Sequence, residues 1–379
     1  MRRRFPSNPY ARKMLELMDS FCEFINSFIR CVTGYLDVLM GRNKNRLYFE
    51  RSGLSLVFDD KQDGHSVLGE GAFSTVFVAA AANSMSSRKY AVKKIALQSE
   101  EFERSYKEEL GSYRRFKHRN IVELVDAMVK PATNSSVKIG YLLFPLLERG
   151  SLRDFVNRTV LAVGTRDEGA GSVASSRHGS TAYLKRVLTD FLGIAEAFNV
   201  MHTFEPSPWV HQDIKPENVL ISNDGTPLLC DFGSVRLANV LIDSRSKALE
   251  VADEAAQFCT VSYRAPELFD PPRGATLDTR TDVWGIGCLL FAWWFGYSPY
   301  ESEFSDVNGA IRVVDCGHSR VLSKMPRKPP TFCTGNDIII MNLVENILEH
   351  DFTKRCYTSD IIHAVGEKLH NLFPRGDAV

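Results

Sequence analysis

The segment WVHQDIKPENVLIS, Trp209 to Ser222, brings a carboxylate, an ammonium and an amide, Asp213, Lys215 and Asn218, within six positions. After a further apolar run, PLLCDFG adds a second acid, Asp231, and then Gly233. A hard carboxylate at Asp231 suits Mg²⁺, which bridges phosphate oxygens, and Asn218 is expected as the second metal ligand. Asp213 is then left to orient and deprotonate a hydroxyl, while Lys215 offsets charge developing on the group in transfer. The chemistry predicted by these types in this spacing is phosphoryl transfer to a hydroxyl.

Three upstream features fit the same chemistry. In LGEGAFSTV, Gly69 and Gly71 lie in a turn between two strand-like runs, where missing side chains let backbone N–H groups approach a polyphosphate. In YAVKKI, Lys93 follows on a strand, an order that suits a lysine gripping the α- and β-phosphates of ATP. Such a lysine needs a carboxylate, and YKEELGSYRRF offers Glu108 and Glu109; the offset from FKHRNIV selects Glu109. Taken singly, each feature has a plainer reading: a hairpin glycine pair, a solvent-facing lysine, solvated glutamates.

The elements that must position these residues come in two kinds. From Arg46 to about Val137 short alternating runs predict strands, with one helix over SEEFERSYKEELGSYRRF. After YLLFPLLERG the pattern turns helical, beginning with SLRDFVNR and AYLKRVLTDFLGIAEAFNVMH. Between those two helices, AVGTRDEGAGSVASSRHGS is rich in Gly, Ser and charge and is predicted to be a flexible surface insert over about 161–180.

Bulk properties exclude several classes of function. The 379 residues, 44% hydrophobic and 24% charged, are ordinary globular values, and 46 basic residues balance 46 acidic ones. No nucleic acid is therefore expected as a partner, and any anion must be bound locally. Eight scattered cysteines, with no CxxC pair and no zinc-like cluster, predict a protein of the cytoplasmic side.

Residues 1–45 form a separate arm. Met14, Leu17, Met18, Phe21, Ile25, Phe28 and Val32 recur at three or four, an amphipathic helical pattern, but Glu16, Asp19, Glu23 and Arg30 break it too often for a membrane span. Three readings stay open for residues 10–40: packing on the rest of the chain, docking on a partner, or peripheral membrane contact with Cys22 and Cys31 as palmitate acceptors.

The ordered set of glycine loop, AVKK, HQDIKPEN, DFG and then APE at Ala265 to Glu267 resembles the protein kinase family over about residues 60–372. The resemblance implies an α+β bilobal fold, with a β-rich N-lobe carrying one main helix over about 60–145 and a larger α-helical C-lobe over about 148–372. It implies ATP and Mg²⁺ as cofactors, a protein substrate and a monomer. By the same resemblance Leu68, Gly69, Glu70 and Gly71 cover the nucleotide, and Val76, Ala91 and Leu220 join Leu68 around the adenine. Phe144 guards the back of that pocket, and backbone groups of Pro145 and Leu147 hydrogen-bond the base. Asp282 is similar to the buried aspartate that braces the catalytic loop, and Arg355 to the partner of Glu267.

Lys215 in DIKPEN and Thr260 in CTVSYRAPE resemble the serine/threonine branch, in which that threonine contacts the catalytic aspartate and lysine; Ser or Thr is the implied acceptor. EAAQFCTVSYRAPELF, LDTRTDVWGIGCLLFAWWFGYSPY and GEGAFSTV together resemble the Numb-associated kinase family. That family is associated with membrane trafficking, one member being lipid-anchored at the Golgi, and its activation segments carry an extra helix, for which Arg236 to Thr260 leaves room. Position 2 is Arg and not Gly, so a myristoyl anchor is not carried over; Gly41 after Met40 would offer one from an alternative start, although Asn45 replaces the preferred Ser or Thr.

Two positions depart from the usual signature. Ser74 stands for the third loop glycine, and Gln212 for the arginine that in many kinases pairs with an activation-loop phosphate. A neutral Gln212 cannot make that pair, so activity independent of activation-loop phosphorylation is expected. A pseudokinase scaffold for trafficking partners is the alternative function, but scaffolds commonly lose the residues that Lys93, Asp213, Asn218 and Asp231 supply.

Overall fold

The computed structural model describes residues 46–58, 67–71, 74–82, 88–132, 137–161, 179–300, 302–304, 311–313 and 335–374. The arm at 1–45, and the predicted insert apart from its ends, lie outside these residues. The chain divides into two compact units: one runs to Tyr106 and resumes at Glu123–Leu146, the other comprises Lys107–Val122 and the chain from Leu147.

The first unit is an antiparallel sheet of β1 (Arg46–Phe49), β2 (Leu54–Phe58), β3 (Val67–Glu70), β4 (Ser74–Ala81), β5 (Lys89–Leu97), β6 (Asp126–Pro131) and β7 (Lys138–Pro145). Its order is β1-β2-β4-β5-β7-β6, with β3 beside the start of β4. Strand alternation puts Leu47, Phe49, Leu56, Ala79, Tyr90, Val92, Tyr141 and Leu143 on one face, where they form a single buried cluster. Burial of each large apolar side chain there stabilises the fold by about 1.5–3 kcal/mol.

This sheet curls until β1 meets β6. Ser52 in the β1–β2 turn donates its N–H to Asp126 Oδ2 at 2.7 Å, while Asp126 Oδ1 accepts from Ala127 N–H at 2.8 Å. The sheet therefore takes in two strands ahead of residue 60, where the family resemblance begins.

The helix α1 (Glu100–Arg115) crosses the division, its residues up to Tyr106 belonging to the first unit. Tyr106 lies on the sheet face opposite that cluster, and a Cβ at position 140 would stand 2.6 Å from its ring, so β7 needs glycine there. The Tyr106 hydroxyl shares its hydrogen between the carbonyls of Met128 (3.1 Å) and Tyr141 (3.3 Å).

The second unit is mainly helical. It contains α2 (Leu152–Val156), continued by a π-turn at Asn157–Leu161, then α3 (Thr181–His202), α4 (Arg245–Phe258), α5 (Arg280–Phe295), α6 (Gly335–Ile347) and α7 (Thr358–Leu372). Its strands are short antiparallel pairs: β8 (Trp209–Val210) with β11 (Arg236–Leu237), β9 (Val219–Ile221) with β10 (Pro227–Leu229), β12 (Val240–Leu241) with β13 (Thr276–Leu277), and β14 (Ser302–Phe304) with β15 (Ile311–Val313).

Apolar residues surround α5 on every side, and each residue from Thr281 to Phe295 is buried, as expected of a helix at the centre of a unit. A Cβ on Gly287 would come within 2.8 Å of Ile347 and Leu348, so the close packing of α5 against the end of α6 requires glycine. The helices α3 and α7 pack together beside it. No helix among the described residues is long and apolar enough to cross a membrane.

Candidate active site

The predicted nucleotide-binding residues of the first unit lie along β3, β4, β5 and β7. Register pairs Val76 with Lys93 and Lys93 with Leu142, and in the next row of the same face Val78 with Ala91 and Ala91 with Phe144. Period-two alternation thus sets Lys93 among apolar neighbours, with Phe144 buried at 8% exposure and Pro145 closing the strand opposite Tyr90. At the tip of the glycine turn, Gly71 N–H donates to Ser74 O at 2.7 Å. Gly69 pairs with Val76 and Glu70 with Thr75, and a shift of register falls between Val67 and Gly69, at the exposed Leu68.

In the second unit four predicted residues meet at one carboxylate. Asp213 Oδ1 accepts from Thr260 Oγ1 at 2.7 Å; Asp213 Oδ2 accepts from Asn218 Nδ2 at 2.9 Å and lies 2.7 Å from Lys215 Nζ. Lys215 Nζ also donates to Thr260 Oγ1 at 3.2 Å. Asn218 Nδ2 further donates to the Asp213 carbonyl at 2.7 Å, which leaves its amide oxygen as the atom to meet a metal. Held on both oxygens, Asp213 is fixed in direction and keeps lone-pair capacity on Oδ1 for a substrate hydroxyl. Leu147 O accepts from Gly150 N–H at 3.4 Å, Gly150 O accepts from Ile221 N–H at 2.9 Å, and Ser151 bridges to Leu220.

The loop is fastened from beneath. Asp282 in the first turn of α5, 3% exposed, accepts His211 N–H at 2.6 Å and Gln212 N–H at 3.0 Å, the bracing role expected of it. Sequence reasoning had not found the next link: His202 Nε2 meets Asp282 Oδ2 at 3.0 Å, and His202 Nδ1 meets Thr358 Oγ1 at 2.6 Å. A histidine at the end of one apolar helix and a threonine opening another are 156 positions apart, so no local pattern joins them.

Among the described residues, the two non-glycine positions with left-handed backbone both belong to this site: Gln212 at φ 66° and Asp231 at φ 61°. Such conformations cost about 1–3 kcal/mol and persist where surrounding contacts over-determine them. Cys230 N–H donates to Asn218 O at 2.9 Å, so the backbones carrying the two candidate metal ligands are tied together.

Among the described residues, no cluster of three or more His, Cys, Asp or Glu is placed to hold a metal. One amide and one carboxylate, Asn218 and Asp231, fit Mg²⁺, which keeps waters and phosphate oxygens as its other ligands.

Of the two candidate glutamates, Glu109 is 4% exposed, whereas the half-exposed Glu108 lies 3.9 Å from Arg236 Nη1. Burial is consistent with the choice of Glu109, whose Oε2 would be 3.7 Å from a Cβ on Gly233. A further residue, Tyr113, was missed: its hydroxyl accepts Asp231 N–H at 3.0 Å.

The segment from Asp231 to Glu267 contains the extra helix, α4. Ser244 caps it by accepting Lys247 N–H at 3.1 Å, and Val251 and Ala255 bury its inner side. Arg236 sets its guanidinium 4.6 Å from the Phe258 ring centre at the end of α4 and donates to Val235 O at 2.8 Å. Burial pushes the Cys259 thiol, next to Thr260, up to about 12.

Residues 63–365 match the family described as the protein kinase domain. The chain is 32% identical over 237 residues to serine/threonine-protein kinase 16 of Homo sapiens, covering 62% of this chain and 70% of that protein. It is 28% identical over 365 residues to a probable serine/threonine-protein kinase of Dictyostelium discoideum, covering 80% and 93%. A third relative, serine/threonine-protein kinase ENV7 of Saccharomyces cerevisiae, is 27% identical over 332 residues, covering 78% and 84%.

Proposed function

The chain belongs to the protein kinase family, and we propose that it is an active serine/threonine kinase transferring the γ-phosphate of Mg²⁺-ATP to protein hydroxyls. The observation that carries this reading is the Asp213 carboxylate held by Thr260, Asn218 and Lys215 at 2.7–2.9 Å.

Mg²⁺, when bound with ATP, neutralises phosphate charge and orients the group in transfer. Asn218 and Asp231 would hold it, and Lys93, supported by Glu109, would take the α- and β-phosphates. Asp213 accepts the proton of the incoming serine or threonine hydroxyl at Oδ1. Lys215 offsets the charge that builds on the transferred group, and Thr260 keeps carboxylate and ammonium in register. Leu68, Val76, Ala91 and Phe144 of the first unit and, separately, Leu220 of the second would offer apolar surface to an adenine, and Gly69, Glu70 and Gly71 would offer backbone N–H groups to phosphates. Three relatives named as serine/threonine kinases support the choice of acceptor.

The test is transfer from labelled Mg²⁺-ATP to the protein itself and to a mixed peptide library, with Asp213→Ala and Asp231→Ala beside the wild type. Phosphoserine or phosphothreonine that disappears in both variants is expected, including on the chain itself. Nucleotide binding without transfer by the wild type would overturn the reading.

Similarity to serine/threonine-protein kinase 16 and the motifs shared with the Numb-associated kinases support a finer assignment, to regulation of membrane trafficking on Golgi or other endomembranes. The amphipathic arm at 10–40 would supply peripheral membrane contact. Liposome flotation of the full chain against a chain starting at Gly41 tests this, and equal partitioning of the two would remove the membrane role.

A further inference from the structure

Asp231 holds a strained backbone at a point where the sheet no longer supports it. The β9–β10 ladder ends at Leu229 opposite Val219. Cys230 N–H is taken by Asn218 O, and the next donor, Asp231 N–H, is met by a side chain, the Tyr113 hydroxyl at 3.0 Å. A part-buried amide N–H needs an acceptor, and the Tyr113 hydroxyl supplies one at this left-handed turn, φ 61°.

Tyr113 lies one helical turn beyond Glu109 on α1, so the two residues share a face. It is 3% exposed, and its ring meets Phe232 edge-on, with centres 4.7 Å apart at 80°. Any aromatic residue would fill that packing role; the hydroxyl adds the acceptor. Burial first, and then the carboxylate of Glu109, hold the phenol well above its ordinary range. Around Gly233 the two carboxylates converge: a Cβ there would be 3.4 Å from Asp231 Oδ1 and 3.7 Å from Glu109 Oε2. One residue on α1 thus reaches the backbone of Asp231 while its own helix carries Glu109.

We propose that the Tyr113 hydroxyl is a positioning group for Asp231, fixing the left-handed backbone that aims this carboxylate at the metal. The inference rests on the reading of Asp231 as a Mg²⁺ ligand. It assigns to a side chain outside every kinase motif in the sequence a share of metal affinity separate from its packing.

The test compares the full-length wild type with Tyr113→Phe, which keeps the ring, and Tyr113→Leu, which does not. Hydrogen exchange at the Asp231 amide reads the contact directly; binding of the fluorescent nucleotide TNP-ATP over a Mg²⁺ titration reads its consequence. Tyr113→Phe is expected to speed Asp231 exchange about tenfold and to raise the Mg²⁺ concentration for half-maximal enhancement of nucleotide binding severalfold. Metal-free nucleotide affinity and the melting temperature should stay near wild type. Tyr113→Leu should lower the melting temperature as well. An unchanged Mg²⁺ midpoint in Tyr113→Phe would overturn the proposal, and so would an unchanged Asp231 exchange rate. A wild type whose nucleotide binding ignores Mg²⁺ would instead count against the kinase reading, since that result involves no variant.

Discussion

Arg355 and Glu267 form a doubly bonded ion pair, Nη1 to Oε1 at 2.7 Å and Nη2 to Oε2 at 3.0 Å, with the arginine side chain fully buried. Arg355 Nε donates to Glu349 O at 2.8 Å and Nη1 also to Arg280 O at 2.7 Å, so the guanidinium knits the end of the activation segment to α5 and the loop before α7. Removing one partner leaves the other charge buried. Glu267→Ala is expected to cost about 3–5 kcal/mol in urea unfolding, with Arg355→Ala similar. A loss under about 1 kcal/mol in both would show that the pair is solvated.

Thr260 gives Asp213 a hydrogen bond and takes one from Lys215. Thr260→Val should lower kcat about 10- to 100-fold with little change in KM for ATP, because the carboxylate and ammonium lose their link while the nucleotide contacts remain. Thr260→Ser should recover most of the rate. A valine variant at wild-type kcat would remove Thr260 from the site.

Activation-segment order is expected to need no phosphate. Gln212 carries no charge, and its Oε1 has no hydrogen-bond partner among the described residues. Arg236 is engaged with Phe258 and faces Glu108. Phosphatase treatment should leave activity within about twofold, whereas Val251→Asp, which charges the buried side of α4, should lower it at least tenfold. Loss of activity on dephosphorylation, restored by phosphate placed between Leu237 and Thr260, would reverse the assignment.

Alkaline stability follows from burial. Cys259 is pushed up to about 12 from an ordinary 9.0, and the Tyr113, Tyr297 and Tyr300 phenols are raised from 10.0 chiefly by burial. Each raised group binds its proton more tightly in the folded state than in the unfolded chain. Their stabilising contribution is complete below the unfolded values and is lost as pH climbs through the folded ones. Urea melts should show little loss from these groups up to about pH 8.5 and a fall of about 1.4 kcal/mol per pH unit for each group titrating above that. Stability rising from pH 9 to 11 would contradict the sign.

Phe144 fills the sheet face opposite Ala91. Phe144→Ala should admit ATP-competitive inhibitors with a bulky back-pocket substituent, improving their affinity at least tenfold over wild type while costing about 3–5 kcal/mol of stability. Equal affinities would place that residue away from the pocket.

Much of this site was legible because its chemistry is local. Asp213, Lys215 and Asn218 lie on one loop, and Val76, Ala91, Lys93 and Phe144 follow from strand alternation once the register is known. The choice of Glu109 over Glu108 rested on an offset, and Glu109 is the buried one of the two. What was not legible spans long separations: Tyr113 to Asp231 across 118 positions, and His202 to Thr358 across 156. In a helix otherwise mostly charged, Tyr113 seven positions after Tyr106 announces a ring to be buried, but the sequence does not say which donor its hydroxyl meets. Alternation from Arg46 already predicts strands, but the β1–β2 hairpin falls outside the domain bounds of 60–372, because RLYF and LSLVF carry no motif.

That hairpin bears on where the gene can be cut. A chain begun at residue 60, as the family resemblance alone would suggest, discards Leu47, Phe49 and Leu56 from the eight-residue cluster and the Ser52 clasp on Asp126. It also bares the edge of β4 from Ala79 to Ala81, where β2 is paired in the intact protein. An unpaired strand edge beside an emptied apolar interior is a template for association between copies. A recombinant fragment begun there should be recovered as aggregate, and one begun before Arg46 as soluble protein.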